Sequence, residues 1–468
     1  MTADQQTVAQ IFKLLKSPVD PKKEGDFAAF LEEAPNAAAV TSMIENAQSL
    51  MTKWKVRDRV EAIKQHPMKV LNATVGKSYE TRLDLKAPAW AGIIEARFEG
   101  LEAVGLHWDA EKGLITGVPT GSGDVAVKML FKVEGEDPAA PHNVKPLTLI
   151  INPDPKTLWK DLPSDRQDPY WKEDNVTQFA PLGDRHILVS SKRGRSHANV
   201  GSFREDDFAF AELEGGWNVV VVGDGAGSAK VSRKGSGIAC TGIVEYFARP
   251  ESVKERAQFD ELLNRHATTS NEDAHKAINH FVYNHLGKAV FAVHKSLDAF
   301  AKENGIPLKD LNSTLVFTLF KKYESGYALL SFGVGDCPMA VLNRELSEVE
   351  LMNWIDVGEF GGGTRFITMP EIFSSDKFAT RFNFKLVPDF SYLVLMSDGI
   401  YDPKFIVEAN LPDVRRWKAF FEDLGGKNED GAGVELRPDN SEIESQLSRW
   451  MDFWSPGNHD DRTLAIVF

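Results

Sequence analysis

The sequence predicts an α+β protein with more than one domain. Short runs of β-branched and aromatic residues, typical of strands, recur over most of the chain. Helical periodicity is concentrated at the start and in a few long stretches between those runs. Because strands and helices do not alternate strictly, the pattern favours α+β over a doubly wound α/β sheet. The length of 468 residues allows two or three domains.

Composition narrows the range of functions. A hydrophobic content of 42% is ordinary for a soluble globular protein, and the net charge of -14 disfavours nucleic acid or an anionic membrane as the main partner. No apolar run approaches the ~20 residues that span a bilayer, and the N-terminus lacks a basic then apolar signal pattern. We therefore expect a cytoplasmic protein without a membrane span. Two cysteines, Cys240 and Cys337, are too few for a disulfide scaffold.

Residues 1–66 are predicted to be helical, because Val8, Ile11 and Leu15 repeat at helical spacing. Residues 67–152 contain short β-type runs broken by Gly and Pro. Within them, GLHWDAEKGLITGVPTGSG resembles a signature of immunoglobulin-like domains. That resemblance implies a small all-β sandwich that acts as a spacer or binds a partner.

Residues 153–183 are rich in Pro and Asp and are predicted to form a linker, which leaves 184–468 as the largest domain. Its predicted strands are 186–191, 208–213, 217–223, 313–320, 327–332, 339–343, 382–386, 392–396 and 464–468. Its predicted helices are 237–248, 253–265, 272–302, and two in the stretches 413–424 and 442–454. The last two helices either cover a sheet face or contact a partner.

The stretch WNVVVVGDGAGSA places a single acid where both its charge and the neighbouring backbone groups could bind a ligand. Its valines predict a buried strand, and Asp224 follows directly, between Gly223 and Gly225. The glycines allow close approach to the backbone. This arrangement suits a metal ion bound by a carboxylate and a carbonyl oxygen, or a phosphate bound by backbone N–H groups.

Further acids occupy similar positions at predicted strand edges: Asp206, Asp336, Asp398 and Asp460. Taken singly, each is also typical of a turn residue or a strand cap. Hard divalent cations such as Mg²⁺ and Mn²⁺ prefer oxygen ligands, and carboxylates at strand ends commonly bind them. The set therefore suggests a two-metal site.

The order of the motifs adds a family resemblance. GRSHANVGSFREDDFAF, VVVVGDGAGSA, FGVGDCP, LVLMSDGIYD and NHDDRTLAIVF occur in succession. Together they resemble the metal-dependent Ser/Thr protein phosphatases of the type 2C class, in particular the bacterial branch. The resemblance covers about 186–468 and implies a four-layer α-β-β-α sandwich, in which two antiparallel sheets pack face to face between layers of helices.

The resemblance also implies the site residues. Asp224 would bridge two Mg²⁺ or Mn²⁺ ions, one of which the Gly225 carbonyl would also bind, and Asp398 and Asp460 would complete the shell of the first ion. Glu205 and Asp206 match acids that act near the second ion, largely through water, and we also count Asp206 as catalytic. Asp336 matches an acid at a third, weaker metal site.

The activity so implied is hydrolysis of phosphoserine and phosphothreonine in proteins, opposing a Ser/Thr kinase. A metal-activated water would attack phosphorus, and His197 is the candidate general acid, with a structural imidazole as the alternative. Many relatives hold the phosphate with an arginine at the position of Gly201. Here Arg193, Arg195 or Arg204 would substitute, although a run of basic residues is also typical of a solvated cluster.

Competing interpretations are weaker. In a cysteine-based phosphatase an arginine follows the thiolate at a fixed spacing, and Arg344 comes one residue too late after Cys337. The glycine-rich 358–364 is either a flap over the site or a plain turn. The main alternative function is a non-catalytic phosphoprotein-binding or scaffold protein that retains the fold.

Overall fold

The structure is a computed structural model that describes residues 1–269, 272–356 and 363–468. The chain forms two compact units, Met1–Leu158 and Trp159–Phe468. Both contain helices and strands, so the predicted α+β class is confirmed. Residues 358–362 of the candidate flap lie outside the described residues. Among the described residues, no helix combines the length and the apolar character needed to cross a bilayer.

The first unit begins with three helices, α1 (Ala3–Leu14), α2 (Glu24–Glu32) and α3 (Ala34–Gln65). A capping box starts α1: the Thr2 hydroxyl accepts a hydrogen bond from the Gln5 N–H at 3.3 Å, and the Gln5 side chain accepts one from the Thr2 N–H at 2.8 Å. The last turns of α3 bury Val60 and Ile63 in the core formed with the strands that follow.

Seven strands complete the first unit: β1 (Ala73–Thr74), β2 (Tyr79–Arg82), β3 (Ile93–Glu99), β4 (Leu106–Asp109), β5 (Leu114–Gly117), β6 (Gly123–Val133) and β7 (Asn143–Asn152). They form a four-stranded sheet in the order β1-β7-β6-β3 and a three-stranded sheet in the order β2-β5-β4. Residues of both sheets, including Phe131 and Ile115, share one hydrophobic core.

The second unit contains the remaining strands: β8 (Asn175–Leu182), β9 (Arg185–Lys192), β10 (Asp207–Leu213), β11 (Trp217–Gly223), β12 (Leu315–Tyr323), β13 (Gly326–Val334), β14 (Met339–Leu342), β15 (Val349–Leu351), β16 (Phe382–Val387), β17 (Tyr392–Met396) and β18 (Arg462–Val467). Its helices are α4 (Arg195–Val200), α5 (Ser232–Ala248), α6 (Pro250–Thr269), α7 (Glu272–Glu303), α8 (Glu371–Ser374), α9 (Asp398–Phe405), α10 (Val414–Leu424) and α11 (Ile443–Trp450). The strands and helices predicted for this part of the chain are confirmed, with shifts of a few residues at their ends.

Two sheets organise the described part of the second unit. One has five strands in the order β10-β11-β12-β13-β16, and the other has six in the order β15-β14-β17-β18-β9-β8. A hydrophobic core joins them, with Val220 and Val222 from the first sheet and Leu395 and Val467 from the second. Val219 and Val221 point to the other face of β11, into a core shared with α5, α6 and α7. The valine run is continuous because this strand is buried on both faces.

The six-stranded sheet has its own helical cover. Strand residues such as Val394 and Leu464 share a core with Trp417 of α10 and Trp450 of α11. The edge strand β8 lies within the segment predicted to be a linker, and it pairs with β9 in antiparallel register. An edge strand tolerates Pro181, which cannot donate a ladder hydrogen bond, so the proline there does not end the strand.

Helix α5 approaches the turn before β12 so closely that only glycine fits at one position. A Cβ added at Gly235 would lie 2.0 Å from the carbonyl oxygen of Leu311, whereas one at Gly287, within α7, would meet nothing closer than Phe382 Cζ at 3.8 Å. We expect Gly235→Ala to destabilise the protein by about 1–3 kcal/mol through overpacking. Gly287→Ala should stabilise it by about 0.5–1 kcal/mol, because alanine favours the helix.

Urea unfolding of both variants checks this prediction. Equal effects of the two substitutions would show that helix propensity, and not the close approach, determines the result.

Candidate metal centre

Asp224 is fixed where β11 ends. Its N–H donates to the Thr314 hydroxyl at 2.9 Å, and its carbonyl accepts from the Thr314 N–H at 2.8 Å. The next residue, Gly225, forms an isolated antiparallel bridge with Ser313. A Cβ on Gly225 would lie 2.6 Å from the Glu205 carbonyl oxygen, so the segment before β10 packs directly on this backbone. The predicted acid is therefore held on two sides.

Asp398 and Asp460 lie at neighbouring strand ends. Asp398 opens α9 directly after β17, and Asp460 closely precedes β18, the antiparallel neighbour of β17. Ser397 and Thr463 tie the two ends together, since the Ser397 N–H donates to the Thr463 carbonyl and the Thr463 N–H donates to the Ser397 hydroxyl, both at 2.9 Å. The structure thus brings these two acids to one end of the sheet.

Glu205 and Asp206 precede β10 and are both buried. Asp206 Oδ2 accepts a hydrogen bond from the Thr463 hydroxyl at 2.7 Å, which links it to the strand that follows Asp460. Within the described part of the chain, Glu205 Oε2 is buried without a hydrogen-bond partner. A buried carboxylate oxygen left unpaired is costly and suits a cation or its bound water.

Asp336 lies just after β13 and faces the same region. Its Oδ2 accepts from the Thr364 hydroxyl at 2.6 Å. Ligand atoms of Asp224, Asp336 and Cys337 all lie within 4.8 Å of one another. Cys337 is fully buried, with its sulfur 3.3 Å from the Thr314 hydroxyl oxygen.

Electrostatics support a cation at this cluster. Burial, followed by the repulsion of Asp206, Asp398, Asp336 and Asp460, raises the pKa of Asp224 well above its usual value. Burial and neighbouring acids likewise raise the pKa of Asp398. The pKa of Asp206 and that of Glu205 each rise to about 7, mainly through burial. Ionised carboxylates in this position repel one another, and bound divalent cations would relieve that repulsion, so the donor set fits hard metal ions.

His197 lies on α4 beside the acids. Its Nδ1 is 3.0 Å from Asp461 Oδ1, and its Nε2 is 3.9 Å from Glu205 Oε2. Burial alone would lower the pKa of His197, but the hydrogen bond and charge of Asp461, together with Glu205, raise it to about 9. The imidazole therefore carries a proton at neutral pH next to the cluster.

Asp461 is a residue that the sequence analysis missed. It is buried, and its carboxylate accepts hydrogen bonds from the Gly194 and Glu205 N–H groups as well as contacting His197. The one sequence feature that could have indicated a role for Asp461 is its position beside Asp460. The family motif, however, assigns a metal-binding role to only the first of these two acids. Its contacts come from distant parts of the chain, which residue spacing does not reveal.

The three candidate arginines have other partners. Arg193 donates to the Ser202 and Leu162 carbonyls, each at 2.8 Å. Arg204 donates to the Ser191 hydroxyl and the Asp206 carbonyl at 2.7 and 2.6 Å. Arg195 donates to the Asp452 and Phe453 carbonyls at 2.7 and 3.2 Å. These bonds tie loops together, and the side chains of Arg193 and Arg204 are only 5% and 3% exposed.

With this geometry established, comparison with known proteins identifies the family. The model of the family described as protein phosphatase 2C matches residues 193–448, more than half of the chain. The chain therefore belongs to the protein phosphatase 2C family, which confirms the predicted type 2C resemblance. A search of the curated proteins finds no match.

Several solved structures are also similar. A bacterial serine phosphatase is 15% identical, with coverage of 60% of this chain and 96% of that one and a TM-score of 0.35. The serine/threonine phosphatase Stp1 from Staphylococcus aureus is 13% identical, covering 63% and 98%, with a TM-score of 0.35. The S. agalactiae serine/threonine phosphatase is 12% identical, covering 61% and 99%, also with a TM-score of 0.35.

The repulsion among the acids predicts a gain in stability when one is neutralised. Because the folded-state pKa of Asp398 is raised, its ionised form is disfavoured, and the penalty grows as pH rises from the unfolded-state pKa of about 4 toward the folded value. In EDTA at pH 7.5 we expect Asp398→Asn to raise the melting temperature by about 2–4 °C, which corresponds to roughly 1 kcal/mol in a large domain. At pH 5 the gain should shrink.

Thermal melts of the wild type and of Asp398→Asn at the two pH values give the comparison. Asp376→Asn, at an exposed acid, is the matched control and should change little. A lower melting temperature for Asp398→Asn at pH 7.5 would mean that the carboxylate stabilises the metal-free fold.

Proposed function

We propose that the protein is a Mg²⁺- or Mn²⁺-dependent protein phosphatase that hydrolyses phosphoserine and phosphothreonine in proteins. The observation that carries this proposal is the convergence of Asp206, Asp224 and Asp398 at one end of the two sheets, where burial and mutual repulsion raise their pKa values. Membership of the protein phosphatase 2C family supports the same activity.

The ligand roles follow the family pattern. Asp224, the Gly225 carbonyl, Asp398 and Asp460 would hold the divalent ions. Glu205 and Asp206 would act near the second ion through water, and Asp336 would serve a third, weaker site. When bound, such ions supply a water of lowered pKa and neutralise the phosphoryl oxygens.

In the reaction, a water oxygen forms a bond to phosphorus while the bond from phosphorus to the serine or threonine oxygen breaks. The products are the free hydroxyl side chain and inorganic phosphate. Asp206 is assigned to orienting the attacking water. His197 is assigned to giving a proton to the departing oxygen, because its imidazole is protonated at neutral pH and lies beside the acids.

Of the three candidate arginines, Arg195 is assigned to the substrate phosphate. The Arg193 and Arg204 side chains are only 5% and 3% exposed, whereas one of the Arg195 contacts, to the Phe453 carbonyl, is long at 3.2 Å. The Arg195 guanidinium lies 5.5 Å from the centre of the Trp454 ring, and the Trp454 ring lies 5.0 Å from the ring of His459, the residue before Asp460. A guanidinium beside the acid cluster has N–H donors suited to phosphate oxygens.

We assign the domain architecture and the biological role from the family resemblances found in the sequence. The two sheets with helices on their outer faces are taken as the four-layer α-β-β-α sandwich of a catalytic domain that covers 184–468 and also includes strand β8. Residues 67–152 are taken as an immunoglobulin-like domain that binds a partner, after the helical 1–66. Of the stretch 153–183 predicted to be a linker, Asn175–Leu182 form β8, so a linker would end before Asn175. The protein would oppose a Ser/Thr kinase in the cytoplasm.

Activity assays test the proposal. Hydrolysis of para-nitrophenyl phosphate and of a phosphothreonine peptide should require Mn²⁺ or Mg²⁺ and stop in EDTA. Asp224→Ala should lower turnover at least about 100-fold, because several kcal/mol of transition-state stabilisation are lost with the ions. Mn²⁺ should also raise the melting temperature of the wild type but not that of Asp224→Ala.

The exposed-acid variant Asp376→Asn is the control and should retain full activity. If metal raises the melting temperature but neither substrate is hydrolysed, the phosphatase proposal is wrong and the non-catalytic scaffold alternative is favoured. Metal-independent turnover would point to a different chemistry.

A further inference from the structure

We propose that Asp461 is a positioning residue that orients His197 toward the departing oxygen and holds the first-motif segment against the metal acids. This inference rests on the proposed phosphatase function and deepens it. It concerns a residue next to a predicted ligand that has a separate task.

The carboxylate of Asp461 joins three points of the first motif. Oδ1 accepts a hydrogen bond from the Gly194 N–H at 2.6 Å and lies 3.0 Å from His197 Nδ1. Oδ2 accepts from the N–H of Glu205. The side chain is only 2% exposed. One buried carboxylate therefore fixes the residue before α4, the imidazole on α4, and the backbone that leads into Glu205 and Asp206.

This contact determines which imidazole nitrogen is available. Because Asp461 accepts at Nδ1, the hydrogen on that nitrogen is committed, and Nε2 is left to face the acids. Nε2 lies 3.9 Å from Glu205 Oε2, the oxygen that lacks a hydrogen-bond partner in the described part of the chain. An ordered carboxylate behind an imidazole orients the ring.

The role of Asp461 is distinct from that of its neighbour. The backbone N–H of Asp461 donates to Asp460 Oδ1 at 2.8 Å, so the main chain supports the predicted ligand while the side chain turns to the first motif. Asparagine at 461 would retain one acceptor oxygen but present a donor NH₂ group in place of the other. It would lose either the Glu205 contact or the His197 contact, together with the negative charge.

The chemistry of the leaving group provides a selective readout. A serine or threonine alkoxide is strongly basic and needs a proton as the bond to phosphorus breaks, whereas para-nitrophenolate leaves readily without one. Damage to the proton donor or to its orientation therefore affects the phosphothreonine peptide more than the aryl phosphate. Loss of metal or general unfolding affects both substrates alike.

The experiment compares Asp461→Asn, His197→Gln and the double variant with the wild type, using a phosphothreonine peptide and para-nitrophenyl phosphate at saturating Mn²⁺. Each single substitution should lower kcat for the peptide about 100-fold, with a decrease for the aryl phosphate at least ten times smaller. The double variant should be no worse than about the worse single variant, because the two residues act as one unit.

A Mn²⁺-linked shift in melting temperature verifies that each variant still binds metal. If Asp461→Asn does not fold, His197→Gln alone retains the Asp461 carboxylate and still shows whether loss is selective for the peptide. Equal losses on both substrates, or multiplicative losses in the double variant, would overturn the inference while leaving the phosphatase function intact. A wild type that hydrolyses neither substrate would overturn the proposed function and this inference together.

Discussion

Carboxylates that repel one another are held together at one end of two packed sheets, and this repulsion is the main constraint on the structure of the second unit. Asp206 and Asp398 lie close enough to Asp224 that each raises its pKa, and Asp206 also raises the pKa of Asp398. If the strands that carry them were flexible, the side chains could separate and relieve the repulsion. The strands instead pack on a close-packed core between the sheets, which resists such movement. The acids are consequently held close together in spite of their repulsion, which lowers the stability of the fold.

Backbone hydrogen bonds and close backbone contacts also fix the individual acids. The N–H and the carbonyl of Asp224 both form hydrogen bonds with Thr314. A Cβ on Gly399, next to Asp398, would lie 1.9 Å from the Asp461 carbonyl oxygen, so the two backbones are in direct contact. The same Asp461 then reaches the first motif through its carboxylate. Segments that are far apart in sequence are thereby held in one arrangement around the proposed metal positions, as preorganised electrostatic catalysis requires.

Much of this was predictable from the sequence. The valine run of β11, ending at Asp224 between glycines, indicated both the buried strand and the fixed acid, and the order of the motifs indicated the family. What spacing could not show was tertiary: Asp461 contacts Gly194 from 267 residues away in the sequence. Likewise, the charges of Arg193 and Arg204 suggested phosphate binding, but loop carbonyls that only the fold brings near occupy their guanidinium groups. The strand β8 was missed because Pro and Asp dominate the residues before it.

The most direct measurement is a crystal structure of the wild type with Mn²⁺, with the ions located by their anomalous scattering. We expect two strong peaks within coordination distance of these acids, with Asp224 shared between them and Asp398 and Asp460 on one. Peaks elsewhere on the protein, or none at a Mn²⁺ concentration that saturates any stabilisation, would contradict the claim that these acids form a metal centre.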